Sequence, residues 1–416
     1  MRLGTLFGKH RFRFGALEIL KFIGPGFLVT VGFIDPGNWA ANVAAGSTFG
    51  FRLLWIVTLG TLMLIILQHN AAHLGIATGL CLAEAVHRFF PKYLGGLALA
   101  TAVAAAISTA LAEILGAAIG LNMLFGLPLK LGAALTAGGS GFMVLSNSYR
   151  RIERWILIFV SLIAISFIFE LSLVRVPWSE ALHGWIVPSI PAGSILVVMS
   201  VLGAVVMPHN IFLHSEVIQS RQWNLQSESV IHRQLKYEFV DTLLAMISGW
   251  AINSAMVIVA AAVFFANGLP VSELPSAEAT LRPLLGNAAA TIFALALLLA
   301  GLASSVTAAM AGGSIVAGMF GEPFHVADNH SRLGIVLTLG GAFLVLLGVG
   351  NPFRGLIWSQ VVLSMQLPLT IIPLLWLTSS KRVMGRFVNS LADIVLLGTV
   401  AAVVVLLNIL LLRGIL

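Results

Sequence analysis

A chain of 416 residues that is 59% hydrophobic and only 9% charged cannot cover a soluble surface, since soluble domains carry about 25% charged residues. The mean hydropathy of +1.01 points instead to repeated passage through lipid, and the net charge of +7 is accounted for by loop position rather than by nucleic acid. The one cysteine, Cys81, excludes an intramolecular disulfide and a thiolate-cluster metal site.

Apolar stretches of roughly 20 residues or more, the length a bilayer requires, are expected at about 20–49, 52–76, 94–124, 128–147, 152–173, 193–220, 237–266, 287–320, 332–350, 354–378 and 392–413. Ahead of the first, Met1–Phe14 is basic and runs into a full span, so no cleavable leader is expected. Of the 23 Lys and Arg, 17 fall in the N-terminal segment and in alternate connections, such as Arg88 with Lys92 and Lys381 with Arg382. That imbalance places the N-terminus in the cytoplasm and, with eleven spans, the C-terminus outside. The expected class is an all-α polytopic protein of the cell membrane. It forms a single transmembrane domain over residues 1–416, monomeric, with the lipid bilayer as partner and no nucleic acid.

The first stretch is interrupted by Asp35-Pro36-Gly37-Asn38. Proline removes a backbone donor and clashes with the preceding turn, so carbonyls just before it, such as that of Gly32, lose their amide partners. Asp35 and Asn38 are three apart and face one cavity if a rough turn survives. In the second stretch, His69 and His73 are four apart, but no third ligand accompanies them, so packing or gating polarity is expected. In the third, Glu113 sits near mid-membrane as a proton carrier, a second cation contact, or a carboxyl bonded to a neighbouring helix.

The sixth stretch is interrupted by Met207-Pro208-His209-Asn210, which frees the carbonyl of Ala204 in the same way. Methionine sulfur is soft and adds little for Mg2+ or Ca2+, which prefer oxygen, but it suits manganese, iron, cobalt and cadmium better. His209 and His214, on the far side of the break, are either proton carriers or polar lining. Asp241, near the start of the seventh stretch, reads as an interfacial or structural contact. Gln360 and Gln366 share the tenth stretch but lie too far around the helix to face one cavity.

Stretches 1–5 (about 20–173) and 6–10 (about 193–378) superpose as two sets of five, each led by a broken member, with about 392–413 as an extra helix. Five being odd, the second set enters from the opposite side. This is a 5+5 inverted repeat, the LeuT-like arrangement with its substrate site at mid-membrane. Anionic Asp35 and Met207 at the breaks favour a cation over the carboxylate of a small-solute symporter. A Mg2+ or broad divalent carrier is the closer alternative, with a sensor or an enzyme further off because no soluble signalling domain and no nucleophile–base pair appears.

Gly24-Pro25-Gly26 with Asp35-Pro36-Gly37-Asn38-Trp39-Ala40, then Ala204-Val205-Val206-Met207-Pro208-His209-Asn210, then Ser359-Gln360 through Gln366-Leu367-Pro368 resemble the first, sixth and tenth spans of the Nramp divalent-metal transporters. The resemblance covers about residues 20–390. It implies a LeuT-like fold, alternating access, and import of Mn2+ or Fe2+, usually with H+ moving the same way. The metal is substrate, and no cofactor is expected. Carried over residue by residue, Asp35, Asn38, Met207 and the carbonyls of Gly32 and Ala204 bind the metal and Gln360 closes on it. Glu113 and His209 match positions of the proton route, with His214 beyond them, and Asn210, Gln366 and Asn42 are expected as gating or supporting groups.

The sequence departs from the family pattern around these ligands. Ala110 stands where an aspartate is usual, Asn42 where another often follows the first break, His73 for an arginine, Leu302-Ala303-Ser304-Ser305 for Gly-Gln-Ser-Ser, and Arg332 alone for paired arginines. The metal ligands are kept while the proton network is thinned, so weak or absent proton coupling is expected.

Overall fold

The computed structural model describes residues 35–146, 171–271 and 287–415, with isolated positions at 158, 161–162, 165, 169 and 274. The first half of the first stretch, including Gly32, and most of the fifth lie outside the described residues.

The first break is a helix start. Helix α1 (Pro36–Phe49) has Asp35 as its N-cap and proline at its first position, where the missing N–H is no loss. After a short 3-10 turn come α2 (Leu54–Thr78), the short α3 (Leu82–Phe89) capped by Cys81, α4 (Lys92–Phe125) and α5 (Leu129–Ser146). The second half runs through α6 (Trp178–Ile186), α7 (Ile195–Val205), α8 (Pro208–Gln219), α9 (Glu228–Val263) and α10 (Asn287–Met319). It closes with α11 (Asn329–Leu347), α12 (Pro352–Thr378), α13 (Lys381–Met384) and α14 (Leu391–Ile415).

Among the described residues, nine helical segments are long and apolar enough to cross a membrane, and the first of them, Pro36–Thr78, contains α1 and α2 together. One boundary differs clearly from the sequence reading, and two short helices are added. The seventh stretch begins at Glu228 rather than near 237, because its polar first turns continue the helix beyond the apolar run. The short helices α3 and α6 were not expected, being too brief to register as spans.

Large apolar side chains face outward, as with Phe142 at 72% and Leu344 at 69% exposure. A surface of that kind is tolerable only against lipid, so this is a multi-pass membrane protein. Inside, small residues let helices approach closely, as membrane packing requires. A Cβ at Gly301 of α10 would stand 2.6 Å from the Glu113 carbonyl of α4. One at Gly203 of α7 would stand 1.9 Å from the Gln360 carbonyl of α12. These approaches draw α4, α7, α10 and α12 around the two breaks.

Candidate functional site at the helix breaks

Between α7 and α8 the chain is extended at Met207 (φ −84°, ψ 115°). Four residues beyond Ala204 stands Pro208, which has no N–H, so the Ala204 carbonyl has no helical donor. The amide of Asn38 fills that gap: Asn38 Nδ2 donates to Ala204 O at 2.9 Å. One hydrogen bond therefore joins the two breaks, 166 positions apart in sequence.

Asp35 accepts from the backbone of Asn38 at 2.5 Å through Oδ1, while its Oδ2 receives no hydrogen bond from an amide or alcohol. Gln360 of α12 reaches the same place. Its Nε2 lies where a Cβ on Gly37 would be, at 1.8 Å, and its Oε1 has no donor beside it. The Met207 sulfur accepts from Asn210 Nδ2 at 3.4 Å and packs with Ala105 and Leu363. Asp35, Asn38, Met207 and Gln360 are all fully buried. The arrangement thus offers a carboxylate oxygen, an amide oxygen, a thioether and a backbone carbonyl, with two of the oxygens receiving no donor. Such a set suits a dehydrated divalent cation of intermediate softness.

Glu113 adjoins this site. A Cβ on Gly116 would stand 1.9 Å from Pro36 Cβ, so α4 seats directly under the start of α1. Glu113, one turn earlier on the same face, meets the Asp35 carboxyl. Ser304 of α10 donates to Glu113 Oε2. Two carboxyls in contact must share a proton or hold a cation.

The remaining expected residues lie around the site rather than in it. His209 Nδ1 is 3.1 Å from Thr109 Oγ1, which turns its ring toward α4. His214 Nδ1 is 2.8 Å from Gln68 Oε1, and its Nε2 lies 3.9 Å from Glu238, whose other oxygen is 2.6 Å from His69 Nδ1. The sequence reading missed Glu238. It sits at the head of the seventh stretch, where a carboxylate looks interfacial until α2 is seen to cover it. His69 and His73 stack at 6.3 Å, in keeping with packing.

Asn42 is seven residues from Asp35 and donates to Asn253 of α9 at 2.6 Å, so it ties α1 to α9. Gln366 donates to Thr101 at 3.4 Å and accepts from Thr370 at 2.9 Å, away from Gln360 as its spacing predicted. Asp241 is buried. Arg332, in the first turn of α11, donates to the Val326 carbonyl at 2.9 Å at an exposed position.

Comparison with known proteins places these features in context. Residues 26–413 match the family described as Nramp, natural resistance-associated macrophage protein-like. The chain is 39% identical, over 94% of its length and 92% of the relative's, to the divalent metal cation transporter MntH of Caldanaerobacter subterraneus subsp. tengcongensis. Among solved structures, the manganese transporter of Eremococcus coleocola superposes with a TM-score of 0.78 at 27% identity, covering 97% of this chain and 88% of that one. Mhp1, a nucleobase-cation-symport-1 family transporter, superposes with a TM-score of 0.64 at 17% identity over 89% of this chain and 81% of that one. The latter likeness is one of fold, and the fold is LeuT-like.

Proposed function

This chain belongs to the Nramp family of divalent metal cation transporters, and on that premise we propose that it imports Mn2+, with Fe2+, Co2+ and Cd2+ as further substrates, through the site at the two helix breaks. The observation that carries this reading is the Asn38–Ala204 hydrogen bond, because it brings Asp35 and Met207 to one place without any intervening structure. A metal entering from outside exchanges its water for Asp35, Asn38, Met207, Gln360 and the Ala204 carbonyl. The Gly32 carbonyl, placed by sequence four residues before Pro36, completes the set by the same logic.

Asp35, Asn38, Ala204, Met207 and Gln360 are fully buried, so an ion reaches and leaves them only if helices move. Helix α1 and the two half-helices α7 and α8 that border the breaks are the elements that swing, closing the outer path as the inner one opens. Asp35 and Glu113 share one proton, and when the dication arrives at Asp35 that proton passes wholly to Glu113. Without the usual aspartate at Ala110, that proton has no neighbouring carboxylate to pass to, and coupling of metal to H+ is weak. We place the protein in the cell membrane as a monomer, with its N-terminus in the cytoplasm.

Uptake of Mn2+ into proteoliposomes tests the proposal. Asp35→Ala is expected to abolish uptake, and Met207→Ala to raise Mg2+ or Ca2+ uptake relative to Mn2+. Wild-type uptake that Mg2+ inhibits at concentrations close to those of Mn2+ would overturn the assignment to transition metals.

A further inference from the structure

Nine residues beyond Met207, α8 carries its one acid, Glu216, buried at 5% exposure. One ligand atom each from Glu216, Cys81 and Glu84 lies within 4.8 Å of the others. Cys81 caps α3, and Glu84 is that helix's third residue. Nine helical residues at ~1.5 Å each put this cluster about 13 Å along α8 from Met207, so it is separate from the broken-helix site.

Internal contacts hold each side chain. Glu84 Oε2 accepts from the Cys81 backbone at 2.9 Å, and the Glu84 backbone donates to Cys81 Sγ at 3.5 Å. Glu216 accepts from Ser314 Oγ at 2.8 Å and from the Phe324 backbone at 3.1 Å. Gln219 Nε2 donates to Glu84 Oε2 at 2.5 Å. These bonds explain the positions of the groups but leave their charge unbalanced. Among the described residues, neither Glu84 nor Glu216 forms an ion pair, and two buried carboxylates side by side repel each other unless a cation or proton joins them. A separate observation points to the missing partner. Gln219 is only 9% exposed, its amide is directed onto Glu84, and its Oε1 has no hydrogen-bond donor. A buried carbonyl oxygen without a donor is costly; a half turn about the Cγ–Cδ bond exchanges Nε2 for Oε1 and would bring that oxygen to the cluster, where a metal ion would satisfy it.

We propose that Cys81, Glu84, Glu216 and Gln219 form a second divalent-metal site, selective for thiophilic transition-metal ions over Mg2+ and Ca2+. One thiolate, two carboxylates and an amide oxygen are a softer set than the all-oxygen cages of Ca2+ or Mg2+. On binding, the Cys81 S–H bond breaks, an S–metal bond forms, and the proton leaves to water. The site stands on its own geometry and does not depend on which ion the broken helices carry.

Cd2+ titration of the purified full chain, followed by the ultraviolet thiolate-to-cadmium charge-transfer absorbance, tests this site directly. Cys81 is the one cysteine in the chain, so the band has a single source. The band is expected to saturate at one Cd2+ per chain and to disappear in Cys81→Ser, which keeps an oxygen N-cap for α3. It should persist unchanged in Asp35→Ala. Glu216→Gln and Gln219→Ala should each raise the half-saturating Cd2+ concentration tenfold or more. Absence of the band in the wild type, or an unchanged titration in both of those variants, would overturn the proposal. Loss of the band in Asp35→Ala would also overturn it, by showing that the two sites are one. An intact band together with normal Mn2+ uptake in Asp35→Ala would support this site and sink the transport assignment alone.

Discussion

Asn38 donates through Nδ2 to the carbonyl of Ala204 at 2.9 Å, and both residues are fully buried. The acceptor exists because Pro208 offers it no N–H, and the donor is positioned because Asp35 caps the helix that starts at Pro36. Replacing Asn38 with Ala leaves that carbonyl without a donor and removes a ligand in one step. The expected result is loss of Mn2+ affinity by more than the ~10–100-fold typical of a supporting contact, measured as the concentration dependence of uptake. Retained affinity would mean that the bond only holds the fold.

Met207 sets the preference for softer ions. In Met207→Ala, transport of Cd2+ should fall most, Mn2+ less, and Ca2+ should gain relative to both, because an oxygen-only set remains. Competition of each ion against Mn2+ uptake gives the order. An unchanged order would make the thioether a packing group against Ala105 and Leu363.

Two glycines against Gln360 should respond differently to alanine. At Gly37 the added Cβ meets the Gln360 amide at 1.8 Å, and at Gly203 it meets the Gln360 backbone carbonyl at 1.9 Å. A side-chain amide can swing aside, so Gly37→Ala should lower uptake with little change in thermal stability. Backbone cannot, so Gly203→Ala should destabilise the folded protein by about 1–3 kcal/mol, seen as a lower unfolding temperature in detergent.

Proton movement follows from what surrounds Glu113. Its carboxyl meets Asp35 and Ser304, and beyond it Ala110 supplies no titratable group. Proteoliposomes loaded with a pH-sensitive dye are expected to take up Mn2+ with little metal-driven acidification. Acidification in fixed proportion to Mn2+ would show that another route carries the proton.

Cys81 should be slow to alkylate. Burial first, then the neighbouring Glu216 and Glu84 carboxylates, push its thiol well above the ordinary range. A raised value means that the thiolate, the reactive form, is scarcer at any pH below it. Maleimide labelling at pH 8, read by mass spectrometry, should be negligible in the folded protein and complete after unfolding. Rapid labelling of the native chain would contradict both the burial and the shift.

The elements that could be read from sequence are those whose signal is local. Lipid demands long apolar runs, and a proline inside such a run frees the carbonyl four residues earlier wherever the chain goes next. The spans, the two breaks, and Asp35, Asn38, Met207 and Ala204 as a set were therefore visible in the residues alone. The separation of Gln366 from Gln360 was visible too, because helical spacing decides it. Glu238 was not, since a carboxylate at a helix start looks solvated until His69 and His214 are found beside it.

The sequence by itself determined a many-span membrane chain with two cation-suited breaks. Only the tertiary structure decided that Asn38 closes on Ala204, that Asn42 serves α9 instead, and that Cys81, Glu84 and Glu216 converge. The physical reason is close approach: glycines at 37, 116 and 203 leave room for a neighbouring helix, but which helix fills that room depends on packing between residues far apart in the chain.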